Sequence, residues 1–343
     1  MREPGAVAAV VRRSEQSGDH ALTGFALAFV ALGILFAAIA GWRGDVFFFR
    51  LATEALIFGG LAISVDLLLG YTGMLSLGQA LFFGLGAYVS ALVLKDLAPS
   101  FWLAMGVTLV VGTVIGFVAA VISIRARGVY FALITFGLAQ VVAKVVFNTP
   151  RLGASDGIIG IPVISIDLLA FHVDAANAGA FFLFCLGFIM ALYFLCAYLS
   201  HTPAGRALAA IRSNENRMPF LGYPVGRIKV LVFVLAADVA AVSGALYPML
   251  RGFVSPELLY FEVSGNAVIT VVIGGMGTLI GPLYGSVLIV GLKSMIGSYT
   301  EHHLIVIGIL FMLSVMYFPQ GLIGYLKPKL TRRLAVRHAH MQP

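Results

Sequence analysis

Charge is scarce in this chain. Asp, Glu, Lys and Arg make up 11% of 343 residues, where a soluble protein carries about 25%. A soluble fold could not cover its surface with so little charge, so an ordinary globular domain is excluded. Cysteine is scarcer still: only Cys185 and Cys196 occur. Eleven helical residues would hold them about 16 Å apart, beyond disulfide reach. No G-x-x-x-x-G-K-[ST] occurs, so the chain has no nucleotide-binding P-loop of its own. No metal-ligand spacing and no Ser–His–Asp or Cys–His set can be assembled. The expectation is a non-enzyme with no metal and no cofactor on this chain. The net charge of +7 sits in short segments between apolar runs, with no basic stripe and interleaved aromatics. Nucleic acid is therefore not an expected partner.

Apolar sequence is plentiful. Hydrophobic residues reach 60% and mean hydropathy is +1.01. Uncharged runs cover Ala21–Trp42, Leu67–Leu94, Leu97–Ile124, Ala175–Ser200 and Val263–Leu292. A span needs roughly 20 apolar residues, so each is long enough to cross a bilayer. The last run is too long for one straight span and is broken at Gly274–Gly281. The fold class expected is all-α, a polytopic membrane bundle of about ten transmembrane helices. Their expected positions are 21–41, 52–69, 74–94, 101–122, 128–147, 179–199, 230–250, 264–275, 279–297 and 302–318.

The cationic residues orient that bundle. With the N-terminus inside, the inner segments hold Arg2, Arg12 and Arg13, Arg125 and Arg127, five residues from Arg206 to Lys229, and five from Lys327 to Arg337. That is 15 of the 22 Lys and Arg. Such residues resist translocation, so both termini are expected on the cytoplasmic side. Residues 1–20 read as a cytoplasmic tail, retained rather than cleaved. Residues 21–326 read as the membrane domain, and 327–343 as a basic cytoplasmic tail. Two connections are too long for turns: an outer, Gly-rich one at 148–178 and an inner one at 200–229. The second carries helical periodicity over AGRALAAIRSNENRMPFLG and reads as an amphipathic helix in need of a partner, either lipid headgroups or a cytosolic protein.

Several motifs qualify as more than filler. Gly70–Tyr88 is rich in small residues and holds Ser76 and Gln79 in an apolar field. It serves either close helix packing or the lining of a solute pathway. Gly112–Gly116 and Gly281–Gly285 have the G-x-x-x-G spacing of a helix contact face. Gly274–Gly281 has the wrong spacing and context for a nucleotide loop and reads as a tight turn between membrane helices. Asp66 and Asp238 lie inside apolar helices, where a carboxylate is costly and is a candidate for function. Asp66, Ser76, Gln79, Tyr88 and Asp238 are the candidate pathway residues.

The motifs Gly70-Tyr-Thr-Gly-Met-Leu-Ser-Leu-Gly-Gln79, Phe83-Gly-Leu-Gly-Ala-Tyr88 and Arg127-Gly-Val-Tyr-Phe-Ala-Leu-Ile-Thr135 appear in that order. Ser155-Asp-Gly-Ile-Ile-Gly-Ile-Pro162, Gly205–Asn216 and Ile273–Pro282 follow. Together they resemble the permeases of branched-chain amino-acid ABC importers, over about residues 52–326, and the M-type subunit most. The resemblance implies a type II ABC importer-like bundle in a bacterial inner membrane. Its partners would be a second permease, two ATP-binding subunits, an external binding protein and an amino-acid substrate. It also implies that Arg206, Arg212, Glu215 and Gly222 belong to a cytoplasmic coupling loop seated in an ATPase subunit. The chain departs from the pattern in three places. Leu152-Gly153-Ala154 replaces an expected Thr-Gly-Gly, Asp66 a neutral polar residue, and Asp238 a small one. Related permeases take urea and short amides, which leaves that substrate class open. Asp66 and Asp238 also suggest a second class, a proton-coupled secondary transporter. On the importer reading, Asp66→Asn is expected to be tolerated.

Overall fold

The structure, a computed structural model, describes residues 4–168, 171–297, 303–317 and 321–325. The expected basic tail at 327–343 lies outside the described residues. Helices occupy all ten expected positions. The first half contains α1 (Pro4–Arg43), α2 (Val46–Thr72), α3 (Gln79–Leu92), α4 (Phe101–Ser123) and α5 (Val129–Phe147). A π-helical turn carries α3 on to Leu97. Three short strands follow: β1 (Ile158–Ile159), β2 (Ser165–Leu168) and β3 (Phe171–Asp174). The second half has α6 (Ala178–His201), α7 (Pro203–Asn214), α8 (Val225–Ala245), α9 (Tyr247–Arg251), β4 (Phe253–Val254), α10 (Phe261–Gly274), α11 (Gly281–Gly297) and α12 (His303–Tyr317).

Among the described residues, seven segments are long and apolar enough to cross a membrane: α1 from Leu22, α2, α3 with its extension, α4, α5, α6, and α8 joined to α9. Helices α10 and α11 are apolar but shorter. Their 14 and 17 residues rise about 21 and 26 Å, against a hydrocarbon core of roughly 30 Å. The long run from Val263 is thus a hairpin of two short helices around the turn 275–280. Helix α1 begins at Pro4, so the segment read as an N-terminal tail is helical over most of its length.

The core is built on α2, α3 and α8. Of the spanning window, 72% is buried in α8 and 67% in α3, but only 11% in α1, which lies at the periphery. Small residues bring the central backbones into contact. A Cβ on Gly86 of α3 would lie 2.0 Å from the Ala241 carbonyl oxygen of α8. One on Gly244 of α8 would lie 2.0 Å from that of Phe83. Gly112 and Gly116 of α4 face Asp238, Ala241 and Ala237 of α8, so their spacing does serve a helix contact.

The expected helix at 74–94 starts late. Gly73 closes α2 in the left-handed conformation (φ 74°), residues 73–78 are not helical, and α3 opens at Gln79. Side-chain hydroxyls replace the missing helical partners there. Thr135 accepts from Leu77 N at 3.1 Å, Ser76 from Gly78 N at 3.3 Å, and Ser264 from Ala80 N at 2.9 Å. Irregular backbone is tolerated beside apolar spans where protein groups satisfy it.

The connections gather at two ends. At one, β1 pairs antiparallel with β4 (Ile158 opposite Val254), Lys95 Nζ donates to Ile159 O at 3.0 Å, and Arg251 pairs with Glu54 at 2.6 Å. Ala154, where the resemblance leads one to expect glycine, holds φ 46° in the loop leading to β1. The other end collects 73–78, 124–128, 202–224 and 275–280.

Candidate functional site

The long connection after α6 forms a helix for local reasons. Thr202 caps α7 by accepting from Gly205 N at 3.4 Å, and Pro203 occupies the first turn. Ala207 and Ile211, one turn apart, are buried on one face and form a small apolar cluster with Met218, while Gly205 is buried against the Ser200 carbonyl. Val225 and Ile228 of α8 pack on that cluster. The amphipathic helix expected here is present, and it docks on the bundle by its apolar stripe.

Its C-terminal end grips three elements at once. Arg212 Nη1 donates to Gly70 O at the end of α2. Glu215 Oε2 lies 2.6 Å from Lys229 Nζ at the start of α8, and Glu215 Oε1 lies 3.4 Å from Arg127 Nε in the α4–α5 turn. Arg127 Nη1 also donates to Asn216 Oδ1 at 3.1 Å. The two ion pairs are unequal. The Lys229 side chain is 6% exposed and that of Arg127 is 68% exposed. Removing the partner of a buried charge costs about 3–5 kcal/mol, while an exposed pair is worth about 0–1 kcal/mol. Glu215–Lys229 is therefore the fixed link and Arg127 the adjustable one. A cavity of about 250 Å³ opens beside them, with Thr72, Met74, Phe131, Arg127, Glu215 and Lys229 in its wall.

Beyond Glu215 the chain turns outward. Phe220 is 91% and Leu221 70% exposed, and Gly222 follows with φ 81°. Two bulky apolar side chains at a loop tip mark a contact surface more readily than an ordinary solvated turn. Arg206, on the outer side of α7, is exposed too. The four residues expected in the coupling loop thus divide. Arg212 and Glu215 hold the bundle, while Arg206 and Gly222 lie on the outer face.

The five candidate pathway residues do not form one cluster. Asp66 is fully buried in α2; Gly277 N donates to its Oδ1 at 2.6 Å and Leu279 N to its Oδ2 at 2.9 Å. Ser76 is a backbone acceptor in the 73–78 break. Gln79 Oε1 lies 3.5 Å from Ser64 Oγ, and its Nε2 is buried without a partner among the described residues. The Tyr88 hydroxyl is likewise buried and unpartnered there. Gln79 and Tyr88 are on one helix but about 13 Å apart along it. Asp238 belongs elsewhere: Thr113 Oγ1 reaches its two oxygens at 3.0 and 3.1 Å. It borders a largely apolar groove of about 190 Å³ with Leu67, Tyr71, Leu109, Cys196 and Leu235. Of the two cavities that stand out among the described residues, neither includes Asp66, Ser76, Gln79 or Tyr88.

Sequence reasoning missed Arg127 and Lys229 as partners of Glu215. The sequence marks both as orientation signals and as parts of the family motifs, without pairing either to Glu215. A Lys next to an apolar run, one helix turn inside α8, was the available hint, since burial demands a counter-charge.

Comparison with known proteins agrees with this architecture. The family described as "Branched-chain amino acid transport system / permease component" matches residues 47–315. The high-affinity branched-chain amino acid transport system permease protein LivM of Salmonella typhimurium is 29% identical over 308 residues, covering 84% of this chain and 72% of the relative. LivM of Escherichia coli K12 is 28% identical over the same shares. The LivH permease of Salmonella typhimurium is 23% identical over 302 residues, covering 80% of this chain and 92% of the relative. No solved structure matches significantly. A multi-pass helical bundle that matches this family from α2 into α12 belongs to it: the chain is a member of the branched-chain amino acid transport permease family, the permease component of an ABC importer.

Proposed function

We infer that this chain is the M-type permease of an importer for branched-chain amino acids, with the segment 203–223 as the lever on which an ATPase subunit acts. The full assembly holds a second permease, two ATP-binding subunits and an external binding protein, and ATP is hydrolysed on those partners rather than here. The membrane is a bacterial inner membrane, with both termini and the lever in the cytoplasm. One observation carries this reading. The segment anchors Arg212 and Glu215 on three different elements of the bundle while presenting Phe220 and Leu221 outward. A surface that couples to a motor needs both a grip inside and a handle outside. The scatter of the polar candidates supports a pathway shared with the second permease over one enclosed within this chain.

The test is uptake of labelled leucine, isoleucine and valine by vesicles containing the whole assembly, with and without ATP inside. Uptake that requires ATP and the binding protein is expected. Labelled urea and acetamide in the same assay separate the amide-type substrate class. Gly222→Val is expected to reduce uptake severely while membrane insertion stays normal. Its φ of 81° disfavours a side chain by about 1–2 kcal/mol, and the strain shifts Phe220 and Leu221. Wild-type uptake by this variant would remove the loop tip from the mechanism.

Asp238 separates the importer from a proton-coupled transporter. Its carboxylate meets the Thr113 hydroxyl at the rim of an apolar groove that Ala204, Gly205 and Leu208 of the lever also line. Asp238→Asn is expected to leave ATP-driven uptake within about twofold of wild type, because it preserves the shape and a hydrogen bond. Complete loss, together with uptake that collapses with the proton gradient, would favour a charge-dependent mechanism.

A further inference from the structure

We propose that Asp66 is the positioning residue that passes movement of the lever to the α10–α11 hairpin. The proposal rests on the permease reading above and names a residue by which that reading would work.

Asp66 is fully buried, yet no cation pairs directly with its carboxylate among the described residues. Both of its oxygens are spent on the backbone of one turn, accepting from Gly277 N at 2.6 Å and Leu279 N at 2.9 Å. A carboxylate inside an apolar bundle is expensive to keep, and simple packing at this position calls for no charge. What it meets is the set of backbone N–H groups that a non-helical turn leaves unpaired.

That turn is strained. Leu279 is buried and holds φ 55°, a conformation that residues with a Cβ rarely adopt, and Gly275 and Gly277 hold φ 123° and 75°. Strain of this kind persists where the surroundings over-determine it, and Asp66 supplies that constraint through the Leu279 N–H. The turn therefore has a held arrangement and an incentive to leave it.

The lever reaches the same spot. Arg212 donates to Gly70 O, and a Cβ added to Gly277 would lie 3.3 Å from that oxygen and 3.5 Å from Arg212 Nη1. One added to Gly70 would lie 2.3 Å from Asp66 Oδ1 and 2.5 Å from Gly277 N. Arg212, the end of α2 and the turn thus touch with no side-chain layer between them. From the turn, contacts continue into the bundle. Ser264 of α10 accepts from Ala80 N at the start of α3, and Ser286 of α11 donates to Ala55 O of α2 at 2.5 Å. A pull on α7 that shifts Arg212 is delivered to the hairpin and from there to the break before α3.

This revises the sequence-based expectation that Asp66→Asn is tolerated. Asparagine offers one acceptor oxygen and turns an NH₂ toward the second N–H, so one of the two holds on the turn is lost.

The experiment uses the whole importer in vesicles: the wild type, Asp66→Asn, Arg212→Ala and the double variant. It reads copurification of the ATPase subunits and uptake per ATP hydrolysed in the presence of loaded binding protein. All four assemblies are expected to copurify. Each single variant should lower uptake per ATP at least about fivefold, and the double variant should fall no further, because both act on one relay. A residue that merely supports the fold would lower yield and leave that ratio alone. Wild-type ratios in either single variant, or losses that multiply in the double, overturn the proposal. If Asp66→Asn does not assemble, the exposed Arg212→Ala decides by the same ratio. A wild-type assembly that takes up nothing on ATP sinks the permease reading, and the relay with it.

Discussion

Uptake is expected to be lost, and the ATPase subunits to dissociate, when Glu215 is replaced by lysine. The substitution removes the carboxylate that pairs with Lys229 among the described residues, a lysine whose side chain is 6% exposed, and puts a third cation between Lys229 and Arg127. Leaving a buried charge unpaired costs about 3–5 kcal/mol, and like-charge repulsion adds to it. That is of the same order as what burial of Ile211 and Met218 supplies to hold the segment, at about 1.5–3 kcal/mol for each side chain. The segment should swing off the bundle while the spans, whose insertion depends on apolar length, remain in place. Glu215→Gln should fall between, because the amide keeps hydrogen bonds and loses the charge. The measurements are copurification, uptake, and alkylation of a cysteine placed at Ala207, which the docked segment buries. Copurification and uptake at wild-type levels would falsify the anchoring role of Glu215.

Gly86→Val should be as damaging by a different route. Its first added carbon would stand 2.0 Å from the Ala241 carbonyl oxygen, and the branched methyls need more room still. The neighbour is backbone in the most buried helix, so no side chain can rotate away. Helices α3 and α8 must separate, at a cost of about 3 kcal/mol or more. The expected result is a chain that inserts but aggregates on size-exclusion chromatography after extraction in detergent. Gly187→Ala supplies the contrast. It sits in the interior of α6, where nothing lies within 4 Å of an added Cβ, and should leave the elution profile unchanged. Monodisperse Gly86→Val protein of normal thermal stability would show that the α3–α8 crossing is not the close contact described.

The bundle was legible because a bilayer makes one simple demand, and runs such as Ala21–Trp42 or Ala175–Ser200 answer it locally. The amphipathic α7 was legible for the same reason: its period is local. The start of α3 was not. Nothing between Gly73 and Gly78 announces that hydroxyls of Thr135 and Ser264 will replace the helical bonds, because those partners come from far along the chain. Asp66 shows the limit most clearly. The sequence marked it as costly and therefore suspect, but its partners stand 211 and 213 residues away and are backbone groups, which leave no trace in residue type. Arg127 and Lys229 were visible as charges; only the fold reveals that they bracket Glu215. The close approaches at Gly86 and Gly244 were hinted at by small-residue density, which fixes neither the partner helix nor the register.

Helices α3 and α8 meet carbonyl to glycine in two places, and α4 adds Gly116 against Ala237. Side chains that interleave can re-sort themselves and let one helix slide on another; peptide planes in contact cannot. Helices α3 and α8 consequently behave as a single slab under load. A working stroke is then taken up outside that slab, and the non-helical 73–78 and 275–280 are the joints nearest the lever, which makes those two short segments hinges of the molecule.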